Sequence, residues 1–173
     1  GLIAMGLGLT HRDRLAGAIL NDIGPVIEPV GLTRIVGYLG IKPDFATHDE
    51  AADSLAVSLA TDFPDVPRDR WQAHARALWR QGATGLELRY DPALRRALLE
   101  GTVPMPDLWA GFRALANLPV ALIRGANSDL LSAATVAEMQ AIYPPLYAVE
   151  VPDRGHVPFL DEPESLPAIR HVL

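Results

Sequence analysis

Two stretches near the end of this sequence carry side chains that can exchange protons. The first is Pro152-Asp153-Arg154-Gly155-His156-Val157-Pro158-Phe159, a constrained loop that can aim His156 into a cleft. The second is Arg124-Gly125-Ala126-Asn127-Ser128-Asp129. A histidine works best as a base when a buried carboxylate fixes one of its ring nitrogens, and Asp129 is our preferred carboxylate. The competing interpretations are a surface-loop histidine and a helix-capping aspartate, although Ser132 is better placed to cap the next helix.

Both stretches follow apolar runs that read as buried strands, at 119–124 and 146–151, with a helix predicted over 133–143. Strand, loop, helix, strand, loop, helix is the alternation of an α/β fold with a parallel sheet. Because parallel strands joined by a crossover end at the same edge of the sheet, Asp129 and His156 are predicted to meet there.

A third apolar run, 15–20, is read as a strand that is buried on both faces and ends at Asn21-Asp22-Ile23-Gly24-Pro25. Asp22 reaches the same edge of the sheet and is the second candidate acid. A simple turn residue before Gly24-Pro25 is the favoured interpretation of Asp22. Ahead of this strand, residues 1–9 mix small and large apolar side chains, which predicts a helix packed on nearly every side.

Residues 28–106 have a different sequence pattern. Predicted helices are separated by proline and glycine, and no strand is expected. The helices are predicted near 33–39, 50–61, 69–80 and 92–99. We therefore predict a helical domain over 28–106, inserted between core parts at 1–27 and 107–173.

The composition limits the classes of function. The chain has 173 residues, no cysteine and a formal charge of −6, which excludes disulfides and argues against nucleic acid or an anionic membrane surface as partners. The apolar start is too short to span a bilayer. No phosphate-binding glycine loop and no metal-ligand spacing is present, so we predict neither a metal nor an organic cofactor. The expectation is a soluble, cytoplasmic protein with a small-molecule substrate.

These features resemble the α/β-hydrolase family. Leu122 to Asp129 is similar to that family's acid loop after its seventh strand, and Val151 to His156 to its histidine loop after the eighth. Gly1 to Met5 resembles the helix that follows the nucleophile, and Asn21 to Pro25 resembles the end of the sixth strand. The resemblance implies the carboxyl-terminal part of an α/β-hydrolase sheet, with residues 28–106 as an inserted helical cap.

The sequence departs from the family at the nucleophile. The G-x-S-x-G elbow is absent, and none of the serines (Ser54, Ser58, Ser128, Ser132, Ser165) lies in a suitable turn. The resemblance implies a nucleophile roughly two or three residues upstream of Gly1, within an amino-terminal half of the fold that this chain requires. The chain alone is expected to be inactive, to expose apolar surface, and to aggregate or bind a hydrophobic dye.

The resemblance implies a serine-type hydrolase of a small ester, lactone or related carbonyl compound. His156 would deprotonate the serine, Asp129 would orient His156, and Trp109 and Val157 would line a pocket under the cap. Two alternatives remain open. One is an aspartate nucleophile, as in dehalogenases and epoxide hydrolases, and the other is a non-catalytic module that binds a small ligand.

Overall fold

A computed structural model describes residues 1–100 and 107–173, apart from the side chains of Ala97 and Leu98. The chain divides into two compact units. Unit 1 comprises Gly1–Leu32 and Pro104–Leu173, and unit 2 comprises Thr33–Val103. The predicted end of the helical domain at residue 106 lies outside the described residues.

In chain order, the elements are helix α1 (Leu2–Thr10), strand β1 (Ala18–Asn21), helices α2 (Pro29–Tyr38), α3 (His48–Ser58) and α4 (Arg68–Leu78), strands β2 (Trp79–Gln81) and β3 (Leu86–Leu88), helices α5 (Leu94–Glu100) and α6 (Leu108–Ala114), strand β4 (Val120–Gly125), helix α7 (Ala133–Ile142), strand β5 (Tyr147–Val151) and helix α8 (Ser165–Val172). A short 3₁₀ helix, Arg12–Arg14, follows α1.

Unit 1 is organised around a parallel sheet with the strand order β1-β4-β5. Ala18 lies opposite Val120, and Ile123 lies opposite Val149. Every residue of β4 is buried, as expected for a central strand covered on both faces. The predicted α/β fold is therefore confirmed.

One face of the sheet packs against α1, α6 and α7 through a cluster of buried apolar side chains. The fully buried members include Met5, Leu20, Phe112, Leu122 and Met139. Glycine allows α1 and α6 to approach closely, because a Cβ on Gly111 would lie 3.0 Å from Met5 Cβ. The other face packs against α8 through a cluster that includes Ile123, Val151 and Ala168.

Helix α1 is less buried than its composition predicts. Only Met5 and Gly8 are buried, whereas Ile3 is 80% exposed and Leu9 is 50% exposed. The prediction of a helix packed on nearly every side is wrong for the chain as described. An apolar helix face exposed to water is a surface on which another polypeptide segment can pack.

Unit 2 pairs α3 with α4 and buries Trp71 and Ala75 in its core. Helix α3 begins two residues earlier than predicted, because Thr47 caps it by accepting a hydrogen bond from Glu50 N. The prediction that this region lacks strands is wrong, since β2 and β3 form an antiparallel hairpin. Strands of three residues are too short to show an alternating pattern.

Candidate active site

Asp22 ends strand β1 in a conformation that few residues adopt. Its φ is +52°, in the left-handed region that aspartate tolerates better than most non-glycine residues. Its backbone N–H donates to Ile123 O at 2.7 Å, which continues the pairing of β1 with β4. The residue is completely buried, so its carboxylate needs hydrogen-bond donors from the protein.

Donors from two neighbouring loops meet the Asp22 carboxylate. Gly125 N donates to Oδ1 at 2.9 Å, and Ser128 Oγ donates to Oδ2 at 2.6 Å. His156 Nδ1 also lies 2.8 Å from Oδ2. The loops after β4 and β5 therefore converge on the end of β1, as expected for the carboxyl edge of a parallel sheet.

The contact with Asp22 also favours one tautomer of the His156 ring. When the carboxylate is ionised it only accepts hydrogen bonds, so Nδ1 is then the donor in this contact, and a neutral ring has its lone pair on Nε2. The side chain of His156 is 19% exposed, against 0% for Asp22. A partly accessible imidazole that is oriented by a buried carboxylate can accept a proton at Nε2 from a hydroxyl group.

Backbone contacts hold the two loops together. Ala126 N donates to Val151 O and Asn127 N donates to Arg154 O, both at 2.9 Å. Gly125 is required at this junction, because a Cβ there would lie 2.3 Å from the Arg154 carbonyl oxygen. These contacts place Gly125 N on Asp22 and His156 beside it.

A second buried carboxylate, Glu162, shapes the far end of the histidine loop. Its oxygens accept from Phe159 N at 2.8 Å, Leu160 N at 2.9 Å and Ser165 Oγ at 2.9 Å. Arg154 Nε lies 3.5 Å from the same side chain. Leu160 has a φ of +74°, so the loop has an unfavourable conformation that the Glu162 contacts help to maintain. Glu162 was not predicted from the sequence, because the capping-box pattern places the acid three residues after a serine and not three residues before it.

The structure brings the second candidate acid to His156. Asp129 is the acid preferred from the sequence and Asp22 the second candidate, and the ring nitrogen of His156 bonds to Asp22. Asp129 is half-buried, and its carbonyl oxygen accepts from Gly31 N at 3.1 Å. The loop of Asp129 does reach the site, but it contributes Gly125 N and Ser128 Oγ to Asp22.

The other predicted site residues lie in different surroundings. Val157 follows His156 and is half-buried. Trp109 packs partly against the core of unit 1, with its ring 6.3 Å from that of Phe112 and the Arg113 guanidinium 5.9 Å above it. Their role in lining a pocket stays a prediction. Ser132 accepts from Thr135 N and caps α7, as predicted.

The part of the chain that the structure describes has neither a group of metal-ligating side chains nor a membrane-spanning helix. No group of three or more His, Asp or Glu side chains there is arranged to hold a metal ion. None of the described helices combines the length and apolar character needed to cross a bilayer.

Comparison with known proteins gives several relatives. A 3-hydroxybutyrate-oligomer hydrolase of Cupriavidus necator is 37% identical over 175 residues, which covers 96% of this chain and 59% of that protein. A 2-(acetamidomethylene)succinate hydrolase of Mesorhizobium japonicum is 25% identical, covering 84% of this chain and 50% of that protein. The crystal structure of an α/β hydrolase from Novosphingobium aromaticivorans matches with a TM-score of 0.88 and 39% identity, covering 99% of this chain and 61% of that one.

No family model matches the sequence. The chain spans between half and about three fifths of the length of these relatives. The chain has a parallel sheet whose loops meet at its carboxyl edge, and it matches hydrolases of known structure. We conclude that the chain has the α/β-hydrolase fold and corresponds to a portion of it.

Proposed function

We propose that the complete protein is a hydrolase that cleaves a small ester, with His156 as its general base and Asp22 as the residue that orients His156. The observation that carries this proposal is the 2.8 Å contact between His156 Nδ1 and the fully buried Asp22 Oδ2. The presence of hydrolases among its relatives supports the same reaction class.

In the proposed reaction, His156 Nε2 takes the proton of a nucleophilic serine while the serine oxygen bonds to the ester carbon. His156 then gives this proton to the departing alkoxide, which leaves an acyl-enzyme. Water then attacks the acyl-enzyme in the same way, with His156 as the base, and the acid is released. Asp22 keeps the proton of the neutral ring on Nδ1 and stabilises the imidazolium that forms in each half of the reaction.

We propose that the serine comes from polypeptide that these 173 residues do not include. The G-x-S-x-G elbow is absent from the sequence, and the chain covers 59% of its Cupriavidus relative. The exposed side chains of α1 supply a surface on which an amino-terminal half could pack, and so does the edge of β1 that pairs with no other strand among the described residues. The isolated chain is expected to bind a hydrophobic dye strongly, whereas the complete protein is not.

The substrate is proposed from the chemistry of the relative. An oligomer of a hydroxy acid is joined by ester bonds, so the linear dimer of 3-hydroxybutyrate is the first substrate to test, together with a lactone and p-nitrophenyl acetate. Trp109 and Val157 are proposed to line the substrate pocket, and the role of residues 28–106 as a cap stays a prediction. The cytoplasmic location stays a prediction.

The test is ester turnover by the complete protein and by two histidine variants. His156→Ala is expected to lower kcat by about a thousandfold or more, because the general base is lost. His171→Ala is the matched control, since His171 is exposed and stacks on Tyr147 at 4.8 Å. Full activity of His156→Ala would remove the proposed base. An inactive wild type whose thermal stability rises with a small ligand would favour the non-catalytic alternative.

A further inference from the structure

The hydroxyl of Ser128 has hydrogen-bond partners for its proton and for both of its lone pairs. Its oxygen accepts from Leu130 N at 3.2 Å and from Leu131 N at 3.1 Å. It also lies 2.6 Å from Asp22 Oδ2. A serine hydroxyl offers one donor and two acceptor positions, and each position has a partner here.

This arrangement determines the direction of the Ser128 proton. The two backbone N–H groups can only donate, so they occupy the lone pairs and leave the hydroxyl proton for the carboxylate. Asp22 Oδ2 consequently receives two donors, Ser128 Oγ at 2.6 Å and His156 Nδ1 at 2.8 Å. Rotation of the Asp22 carboxylate would break both contacts together.

We propose that Ser128 is a positioning residue that holds Asp22 Oδ2 in line with His156 Nδ1. This inference rests on the proposed function and adds a fourth group to its catalytic arrangement. Ser128 would act through Asp22 and not on the substrate, because its oxygen has no lone pair left to serve as a nucleophile. Its expected effect is on the geometry of the histidine and therefore on kcat rather than on KM.

Ser132 provides a control for a serine that accepts a hydrogen bond from a nearby backbone N–H group. It caps α7 by accepting from Thr135 N, and its hydroxyl lies 2.9 Å from Thr135 Oγ1. Both serines thus accept from backbone N–H groups, Ser128 in the loop before α7 and Ser132 in the first turn of α7, but the Asp22 contact belongs to Ser128. A difference between Ser128→Ala and Ser132→Ala therefore isolates the contact with Asp22.

The experiment uses the complete protein with three variants, Ser128→Ala, Ser128→Thr and Ser132→Ala. Ester turnover gives kcat and KM, and proton NMR of protein with ¹⁵N-labelled histidine gives the signal of the His156 Nδ1 proton. Ser128→Ala is expected to lower kcat by about 10- to 100-fold, the range for one lost hydrogen bond to a charged group, with KM changed less than about twofold. It is also expected to shift or broaden the Nδ1 proton signal. Ser128→Thr, which keeps a hydroxyl, should restore both, and Ser132→Ala should change neither.

The NMR readout separates failure of this inference from failure of the proposed function. If the wild type cleaves no ester, the proposed function fails, but the Nδ1 proton signal still tests Ser128. An unchanged signal and kcat in folded Ser128→Ala would overturn the inference, and so would equal losses in Ser132→Ala. If Ser128→Ala does not fold, NMR of the wild-type protein tests the inference instead. The Ser128 hydroxyl proton should exchange slowly with water and show a nuclear Overhauser effect to the His156 ring. The absence of that proton signal would also overturn the inference.

Discussion

The carboxylates of unit 1 and unit 2 differ in how the protein accommodates their charge. In unit 1, Asp22 is 0% exposed and Glu162 is 7% exposed, and both accept hydrogen bonds from backbone N–H groups. In unit 2, Asp53 and Glu87 form ion pairs with arginine at the surface. Burial of a charge is costly unless donors surround it, so the two buried carboxylates indicate where the fold requires precise geometry: beside His156 and at the far end of its loop.

The largest effect on ester turnover is expected from substitution of Asp22. In the complete protein, Asp22→Asn should lower ester turnover by about 10³- to 10⁴-fold, because the amide disturbs the tautomer and orientation of His156. Asp129→Asn should cost less than about tenfold, since it leaves the contact between Asp22 and His156 intact. Turnover measured on both folded variants checks this prediction. A greater loss in Asp129→Asn would restore Asp129 as the acid.

The next effect is expected at the junction of the two loops. Gly125→Ala should destabilise the protein by about 3 kcal/mol, because its Cβ would meet backbone oxygens of Arg154 and Gly155 at 2.3 and 2.6 Å. Gly37→Ala is the control, since a Cβ there meets nothing within 4 Å and alanine favours the helix. Urea unfolding of both variants gives the free energies. Equal stability of the two would contradict the close approach.

A smaller effect is expected at the second buried carboxylate. Glu162→Gln should cost about 2 kcal/mol of unfolding free energy, because hydrogen bonds from Phe159 N and Leu160 N to a charged acceptor are weakened. Glu164→Gln should change it by less than about 0.5 kcal/mol, since the Glu164 side chain makes no capping hydrogen bond. A similar shift of the urea midpoint in both variants would show that burial at Glu162 is unimportant.

The smallest effect is expected in unit 2. Hydrogen bonds from Arg68 lower the pKa of Asp53 below its ordinary value, so the pair stabilises the fold above that ordinary pKa and is lost as the pH falls through the lowered one. The Arg68 and Asp53 side chains are 55% and 60% exposed, and solvent weakens the pair. Asp53→Asn should leave the urea midpoint at pH 7 unchanged within error. A shift as large as that of Glu162→Gln would remove the contrast between the units.

Much of unit 1 could be predicted from the sequence because its signals are local. The apolar runs before Asp129 and His156 are bounded by turn residues, and they correspond to β4 and β5. Asp107 and Ser132 each precede a helix and cap it. The hairpin of unit 2 could not be predicted in this way, since its pairing depends on contact between short segments that have little pattern of their own.

The sequence by itself therefore determined which strands end at the carboxyl edge of the sheet and that His156 lies there with two possible acids. Only the tertiary structure showed that Asp22 lies within hydrogen-bonding distance of His156. Asp22 and Asp129 both follow strands, and their spacing from His156 does not reveal which carboxylate oxygen comes within hydrogen-bonding distance. That choice depends on the left-handed backbone of Asp22 and on the donors supplied by Gly125 and Ser128, which come together only when three separate strands pair.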